Sequence, residues 1–237
     1  MTRNRFSATG GVAERQLTLD LAYRPALGRE DFIVTPANAE AVALIDRWPD
    51  WPHPVLAMIG PEGSGKTHLA AVWCRRAEAV CVLADALTAA HLEALAGGGA
   101  LAIEDADRGF DEETLFHALN MARDEGGHLV LTGRSAPASW PVGLADLASR
   151  LRAAPVARLG APDDLLLRAV LVKLFSDRQL AVDAAVLDYI CARMERSLAA
   201  AASLVAALDK AALAEGRGIT RRLAAEVLAD RDREGGA

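Results

Sequence analysis

The sequence predicts an α/β protein in which a five-stranded parallel sheet carries helices on both faces, followed by a small all-helical lid. Three observations lead to this prediction. The pattern G-x-x-x-x-G-K-[ST] follows an apolar run at 55–59. Strand-like and helix-like segments then alternate as far as residue 161. Beyond Pro162 the apolar residues keep a helical period only.

Each element is predicted from the spacing of its apolar residues and from the breaks around it. Strands are predicted over 55–59, 79–83, 100–104, 128–132 and 156–159. Helices are predicted over 38–47, 66–77, 87–96, 112–125, 163–178, 184–193, 198–215 and 220–230. The chain therefore divides into an N-terminal segment at 1–23, an α/β nucleotide-binding domain at 24–161 and a helical lid at 162–237.

Composition narrows the class of protein. The 237 residues carry a net charge of −6, which argues against nonspecific binding of duplex DNA. No apolar stretch is long enough to span a bilayer, and no signal peptide opens the chain. The three cysteines are scattered in apolar surroundings, as is typical of reduced thiols. We therefore expect a cytoplasmic protein with little direct DNA binding and no membrane association.

The pattern after the first strand predicts a nucleotide site, here called the phosphate loop. Its eight residues are Gly60, Pro61, Glu62, Gly63, Ser64, Gly65, Lys66 and Thr67. Glycines leave backbone N–H groups free to surround phosphate oxygens, and the next helix directs its positive end at them. Lys66 would contact the β- and γ-phosphates, and Thr67 would ligate Mg²⁺. The alternative is a glycine-rich turn that only caps a helix.

Two carboxylates, Glu104 and Asp105, follow the strand at 100–104. At the tip of a strand beside the phosphate loop, one carboxylate can hold Mg²⁺ and the next can orient an attacking water. We assign both to the catalytic site, with Glu104 as a metal ligand. The alternative is a solvated acidic turn, because more acidic residues follow between 107 and 113.

Taken together, these motifs resemble the AAA+ region of the bacterial replication initiator DnaA. The resemblance covers about residues 24–228 and includes GPEGSGKTHLA, Ile103-Glu104-Asp105 and the segments at 31–38, 116–137, 147–151 and 218–220. DnaA also has an N-terminal interaction domain and a C-terminal helix-turn-helix domain, and we expect neither here. A DnaA-like module of this kind resembles the Hda proteins of regulatory inactivation of DnaA, of the alphaproteobacterial type.

The resemblance implies a role for Arg150. In DnaA-like modules the arginine of an S-R-[LF] segment projects toward the nucleotide of a neighbouring subunit, as a trans arginine finger. Arg150 would enter the ATP site of DnaA and stimulate hydrolysis there. The alternative is an ordinary surface arginine, of which Arg152 is an example.

The resemblance also implies adenine-nucleotide contacts. Phe32, Ile33 and Val34 match the segment whose backbone lines the base pocket, although an edge strand leading into a helix is an equal alternative. His68 follows the loop as in DnaA and is expected to pack there rather than to catalyse.

Three departures from DnaA indicate slow turnover. Glu104 replaces the first Asp of the acidic pair, Arg134 replaces an Asp after the fourth strand, and Ala199 stands where the lid arginine is usual. Arg196, one turn earlier, could reach the phosphates only if the helix were shifted. We therefore expect bound ADP (or ATP) with Mg²⁺, with ADP preferred.

The N-terminal segment contains a second recognisable peptide, Gln16-Leu17-Thr18-Leu19-Asp20-Leu21. It resembles the QLxLxL peptide that docks on the sliding clamp, the beta subunit of DNA polymerase III. Gln16 would bond at the mouth of a groove while Leu19 and Leu21 fill an apolar pocket, with Leu17 beside them. An ordinary amphipathic strand is the alternative.

These expectations leave three functions open. The first is a clamp-dependent regulator that stimulates ATP hydrolysis by DnaA and so prevents over-initiation of replication. The second is a DnaA-like adaptor without enzymatic activity. The third is an independent P-loop enzyme, either an ATPase that resembles helicase loaders or a kinase. AAA+ modules associate side by side, so a homodimer or a higher homo-oligomer is expected.

Overall fold

The computed structural model describes residues 32–235, and its centre is a five-stranded parallel sheet. The strands are β1 (Val55–Ile59), β2 (Val80–Leu83), β3 (Ala100–Glu104), β4 (His128–Gly133) and β5 (Val156–Arg158). Their order across the sheet is β2-β3-β4-β1-β5, and each neighbouring pair is parallel. The predicted sheet is confirmed.

Helices connect the strands and continue beyond β5. They are α1 (Ala39–Asp46), α2 (Lys66–Ala77), α3 (Glu112–Asp124), α4 (Ala145–Ala153), α5 (Asp164–Asp177), α6 (Ala184–Cys191), α7 (Leu198–Glu215) and α8 (Arg221–Gly235). Within residues 32–235, every helix is too short or too polar to span a bilayer.

Alternate residues of the strands supply two apolar cores, one on each face of the sheet. Leu56 and Met58 of β1 pack with α1 and α2, around the fully buried Trp73. Val55 and residues of β3 and β4 pack with α3 and α4 on the other face. All five residues of β1 are buried, as expected for a central parallel strand covered on both sides.

The helices that follow β5 have an apolar core of their own, drawn from α5, α6, α7 and α8. Side-chain caps mark two helix beginnings: Asp163 accepts from the N–H of Leu166 at 2.7 Å, and Ser197 accepts from Ala200 at 3.3 Å. Such caps satisfy N–H groups that the first turn of a helix leaves without partners.

Two helical segments differ from the sequence prediction. The segment predicted as a helix over 87–96 is mainly a 3₁₀ segment at Ala89–Gly98, with non-helical backbone at Ala96 and Gly97. Leu92 and Leu95 are its buried residues, and a spacing of three fits the three residues per turn of a 3₁₀ helix. Helix α4, between β4 and β5, was not among the predicted helices.

Candidate nucleotide site

The phosphate loop begins where β1 ends, at the carboxyl edge of the sheet. The N–H of Gly60 donates to the carbonyl of Gly133 at the end of β4, at 3.2 Å. Gly63 and Gly65 have φ of +72° and +96°, in the left-handed region that favours glycine. A Cβ on Gly60 would lie 2.3 Å from the carbonyl oxygen of Leu159. The loop therefore needs glycine at these positions, and the cradle fits an anion such as a phosphate.

Lys66, the first residue of α2, is buried and folded back over the loop. Its Nζ donates to the carbonyls of Gly60 at 2.8 Å and Pro61 at 2.9 Å. Burial lowers the pKa of Lys66, and the carboxylates of Asp105 and Asp107 oppose this shift. The ammonium is thus held at the mouth of the loop, where an incoming phosphate would meet it.

The two predicted carboxylates at the end of β3 have different surroundings. Asp105 has a φ of +55°, its N–H donates to Thr132 Oγ1 at 3.0 Å, and its carboxylate pairs with Arg108 at 3.2 Å. Glu104 accepts from the thiol of Cys81, on edge strand β2, at 3.3 Å. Of the pair, Asp105 is the carboxylate whose charge acts on Lys66.

Asp107 also belongs to this region, although the sequence placed it only in an acidic turn. Its Oδ2 accepts from the N–H of Arg134 at 3.0 Å, which ties the turn after β3 to the end of β4. The contact depends on strand order, because β3 and β4 are neighbours in the sheet while lying far apart in the chain. Spacing along the sequence carries no signal for it.

The metal assignments can be tested against the donor set. Thr67 lies in the first turn of α2 and is exposed, so its hydroxyl is accessible. Among residues 32–235, no group of three or more His, Cys, Asp or Glu residues could hold a metal ion. Mg²⁺ usually keeps several waters and takes only one or two protein ligands beside substrate phosphates. Mg²⁺ that arrives with a nucleotide would need only the Thr67 hydroxyl and one carboxylate from the end of β3 as protein ligands.

Arg134 follows β4 directly and lies against the phosphate loop. Its guanidinium is 3.2 Å from Glu62 Oε2, and its positive charge contributes to lowering the pKa of Lys66. The sequence marks Arg134 only as a departure from DnaA. The structure brings it into the phosphate site.

The segment beginning at Phe32 lies beside α2. Phe32 stacks on His68, with ring centroids 5.4 Å apart and an interplanar angle of 17°. Asn38 holds the following turn, since it accepts from the N–H of Thr35 and donates to the carbonyl of Ile33, each at 2.9 Å. The segment is an irregular turn and not the edge strand that was the alternative. Val34 is 46% exposed beside this turn, and His68 has the packing contact expected of it.

The lid touches the phosphate loop through the beginning of α7. The N–H of Leu198 donates to the carbonyl of Gly63 at 3.0 Å. A Cβ on Gly63 would lie 2.4 Å from Ser197 Oγ, so the two residues are in close contact. We call this contact of Ser197 and Leu198 with Gly63 the lid latch. The latch places the positive end of an 18-residue helix against the loop.

The lid arginine predicted for the site points elsewhere. Arg196 pairs with Asp164 at the beginning of α5 at 2.7 Å, and donates to the carbonyl of Pro162 at 3.4 Å. Ala199, at the position usual for the lid arginine, is exposed. In this arrangement the guanidinium of Arg196 is engaged within the lid.

Arg150 lies at the opposite end of the strands from the phosphate loop, near the beginning of β1. Its guanidinium sits over the ring of Phe116, 5.1 Å from the centroid. It lines a cleft with His53 and Val55, at the beginning of β1. The phosphate loop follows the end of the same strand, about 15 Å away for five residues in extended conformation. The predicted clamp residues Gln16, Leu17, Leu19 and Leu21 lie outside the described residues.

Several solved structures share this fold. Domain III of the replication initiation protein DnaA from Thermotoga maritima is similar with a TM-score of 0.75 and 20% identity, over 87% of this chain and 97% of that one. DnaA bound to AMPPCP and single-stranded DNA has a TM-score of 0.67 and 17% identity, over 89% and 69%. A point variant of RuvB from Thermotoga maritima has a TM-score of 0.68 and 19% identity, over 86% and 72%.

The chain matches no protein-family model and no curated protein. Similarity at these levels of identity concerns the fold. The parallel sheet and the helices around it are what the chain has in common with the structures named above. The chain has the fold of DnaA domain III and of RuvB, a five-stranded parallel sheet with helices around it.

Proposed function

We propose that this protein is a DnaA-like regulator of the Hda type, which stimulates ATP hydrolysis by DnaA through Arg150 and so prevents over-initiation of chromosome replication. The observation that carries the proposal is the position of Arg150. It lies at the edge of the sheet where β1 begins, while the protein's own phosphate loop follows the end of β1. This distance from the protein's own phosphate loop supports a role for the guanidinium at a nucleotide held by a neighbouring molecule.

The surroundings of Arg150 suit such a role. The ring of Phe116 supports the guanidinium by a cation–π contact, which orients it without taking up its N–H donors. Arg150 is half-buried, so its side chain is partly ordered before any partner arrives. An arginine supplied in trans to a transferring phosphoryl group accelerates hydrolysis by about 10³- to 10⁵-fold in GTPases.

The experiment measures ATP hydrolysis by DnaA with this protein and with a DNA-loaded sliding clamp. The wild-type protein is expected to accelerate hydrolysis, and Arg150→Ala to return the rate to that of DnaA alone. Arg152→Ala is the matched control, since Arg152 lies in the same helix and is exposed. Full stimulation by Arg150→Ala, or equal loss in both variants, would contradict the assignment.

The proposed ligand of the phosphate loop is ADP (or ATP) with Mg²⁺, with ADP preferred. Support comes from the lid, because Arg196 is engaged by Asp164 and Ala199 has no charge to offer a phosphate. A site with Lys66 in place and no lid arginine on the phosphates would hold nucleotide and turn it over slowly. Purified protein is expected to carry ADP, which nucleotide extraction and chromatography would detect.

The remaining parts of the proposal come from the sequence pattern. Gln16, Leu17, Leu19 and Leu21 would bind the sliding clamp, and Phe32, Ile33 and Val34 would line the adenine pocket. Glu104 and Asp105 keep their proposed roles toward Mg²⁺ and the attacking water. A homodimer or higher homo-oligomer is proposed because AAA+ modules associate side by side.

A second candidate is an ATPase that acts in replication on its own account, as a helicase loader does. Asp105 and Asp107, which follow β3, favour this candidate. Their negative charges raise the pKa of Lys66, so both carboxylates lie near the phosphate loop. Rapid steady-state hydrolysis by the isolated protein, unaffected by Arg150→Ala and without effect on DnaA, would support this candidate over the first.

A further inference from the structure

We infer that Cys74 and Cys81 form a dithiol pair that peroxides oxidise to an intramolecular disulfide and that thiols reduce again. In the sequence the three cysteines are scattered, and their spacing gives no sign of a pair. The structure brings two of the three together beside Glu104, at the end of β3. Because the disulfide is measured on the protein alone, this site is independent of the proposed action on DnaA.

Strand β2 and the helix before it carry the two thiols on one face of the sheet. Val82 packs into the core that contains α3, so its neighbour Cys81 points to the opposite face. There Cys81 lies beside Ala102, its partner in the strand register, and Ala102 shares a core with Cys74 of α2. Both sulfur atoms therefore lie between the last turn of α2 and the edge of the sheet.

A tight turn keeps the helix and the strand close together. Glu78, with a φ of +50°, ends α2, and the N–H of Ala79 donates to the carbonyl of Cys74 at 2.8 Å. The chain then enters β2 directly. Cys81 is thus held near the last turn of the helix that contains Cys74, and only a small approach is needed for an S–S bond of about 2 Å.

The two thiols are in hydrogen-bonding contact, and Cys81 has a second partner. The hydrogen bond between them lowers the pKa of Cys74 and raises the pKa of Cys81. Cys74 is therefore the sulfur that becomes a thiolate, while Cys81 keeps its proton. The thiol of Cys81 also donates to Glu104 Oε1 at 3.3 Å. Since the thiolate is the reactive form of cysteine, Cys74 is the nucleophile of the pair.

These contacts fit an oxidation in two steps. The Cys74 thiolate attacks one oxygen of hydrogen peroxide, the O–O bond breaks, and Cys74 becomes a sulfenic acid while hydroxide leaves and is protonated to water. The Cys81 sulfur then attacks the Cys74 sulfur, and the S–O bond breaks. The thiol proton of Cys81 passes by way of Glu104 to the departing hydroxyl, which leaves as a second water. Two electrons pass from the sulfurs to the peroxide.

The surroundings of the pair permit both access and reversal. Cys81 is exposed on an edge strand and Cys74 is 9% exposed, so a small peroxide can reach the pair from the side of Cys81. Exposed disulfides are among those that thiols reduce readily. Oxidation would remove the S–H that faces Glu104, and so would change the surroundings of a carboxylate proposed to ligate Mg²⁺.

The test treats the reduced protein with hydrogen peroxide, blocks the remaining thiols with iodoacetamide and maps the peptides by mass spectrometry. The wild type should keep one of its three alkylatable cysteines, Cys191, and should show a peptide joined through Cys74 and Cys81. Dithiothreitol should restore all three. Cys191→Ser is the control and should form the same disulfide, because Cys191 lies in the lid. Cys81→Ser should instead leave a sulfenic acid at Cys74, which dimedone traps.

Three results would overturn the inference. The first is a wild-type protein in which peroxide oxidises Cys191 while Cys74 and Cys81 stay alkylatable. The second is a disulfide that includes Cys191 or that joins two molecules. The third is a Cys81→Ser variant in which dimedone labels Cys191 and leaves Cys74 unlabelled. Thermal melts show whether each variant is folded, and the wild-type measurement needs no substitution at all.

Discussion

At the residue scale, Gly63 meets two separate constraints in the phosphate loop. Its φ of +72° lies where residues with a Cβ are strained, and its Cα faces Ser197 of the lid latch. We predict that Gly63→Ala lowers the free energy of unfolding by about 2–4 kcal/mol, the sum of backbone strain and overpacking. Urea unfolding would measure the change. Nucleotide affinity should fall as well, because the loop and the latch move apart.

Gly126 is a matched control for this substitution. It has the same φ of +72°, but no atom lies within 4 Å of the position of its Cβ. Gly126→Ala should therefore show the backbone strain alone, about 1–2 kcal/mol. If Gly63→Ala costs no more than Gly126→Ala, the close contact with Ser197 has no energetic weight. Ser197→Gly, added to Gly63→Ala, should recover part of the loss.

The roles of single residues could be predicted only where a local pattern carries them. Lys66 and Thr67 are predicted from spacing alone, because the strand, loop and helix that hold them are contiguous in the chain. Asp107 and Arg134 are 27 residues apart and meet only because β3 and β4 are neighbours. The pairing of Glu62 with Arg134 has the same origin. A single sequence holds no information on such contacts.

At the element scale, the first residue of α7 offers a test of the lid latch. Leu198 is at the first helical position, where proline is well tolerated because this N–H has no partner within the helix. Ser197, with φ of −142° and ψ of 137°, already has a backbone suited to the residue before proline. Leu198→Pro thus removes the N–H that donates to Gly63 and should leave α7 intact.

We predict that Leu198→Pro releases bound ADP about fivefold faster than Leu198→Ala, the effect of one hydrogen bond of about 1 kcal/mol. Both variants lose the leucine side chain, and only the proline variant loses the donor. Stopped-flow release of a fluorescent ADP analogue would give the rates, and circular dichroism would confirm that helix content is unchanged. Equal release rates would show that the latch does not retain nucleotide.

The helices and strands themselves were largely predictable, because the spacing of apolar residues and the turn residues between segments are both local signals. β1 and β3 were found at their observed bounds, because short apolar runs bounded by turn residues are typical of buried parallel strands. The segment at Ala89–Gly98 was predicted as an ordinary helix. Leu92 and Leu95 fit either helical period, and the choice of 3₁₀ geometry depends on packing against α3, to which it is joined in one core.

At the scale of the whole molecule, functions are proposed for two opposite edges of the central sheet, one at each end of β1. The phosphate loop, Arg134 and the lid latch lie where β1 ends, and Arg150 lies where β1 begins. In a side-by-side assembly, one edge would receive a neighbour's guanidinium while the other presents its own. In the proposed regulator, the second edge would face DnaA and the first would hold the protein's own nucleotide.

The proposed clamp contact is separable from both edges. Gln16 and Leu19 precede the α/β domain in the chain, so their substitution by alanine should abolish binding to the sliding clamp without changing affinity for ADP. Arg150→Ala should do the reverse in the DnaA assay, with clamp binding kept and stimulation lost. Surface plasmon resonance on immobilised clamp would measure the first effect.

Mixing the two variants extends this test to the assembly. The variant with alanine at Gln16 and Leu19 is here called the clamp-deficient variant. If one molecule must both bind the clamp and supply Arg150, an equimolar mixture of the clamp-deficient variant and Arg150→Ala will not stimulate DnaA. If the protein acts as a homo-oligomer, one subunit can supply the clamp contact and its neighbour the arginine, and part of the stimulation will return. If the clamp-deficient variant alone stimulates DnaA as well as the wild type does, with the clamp present, the N-terminal peptide has no part in this function.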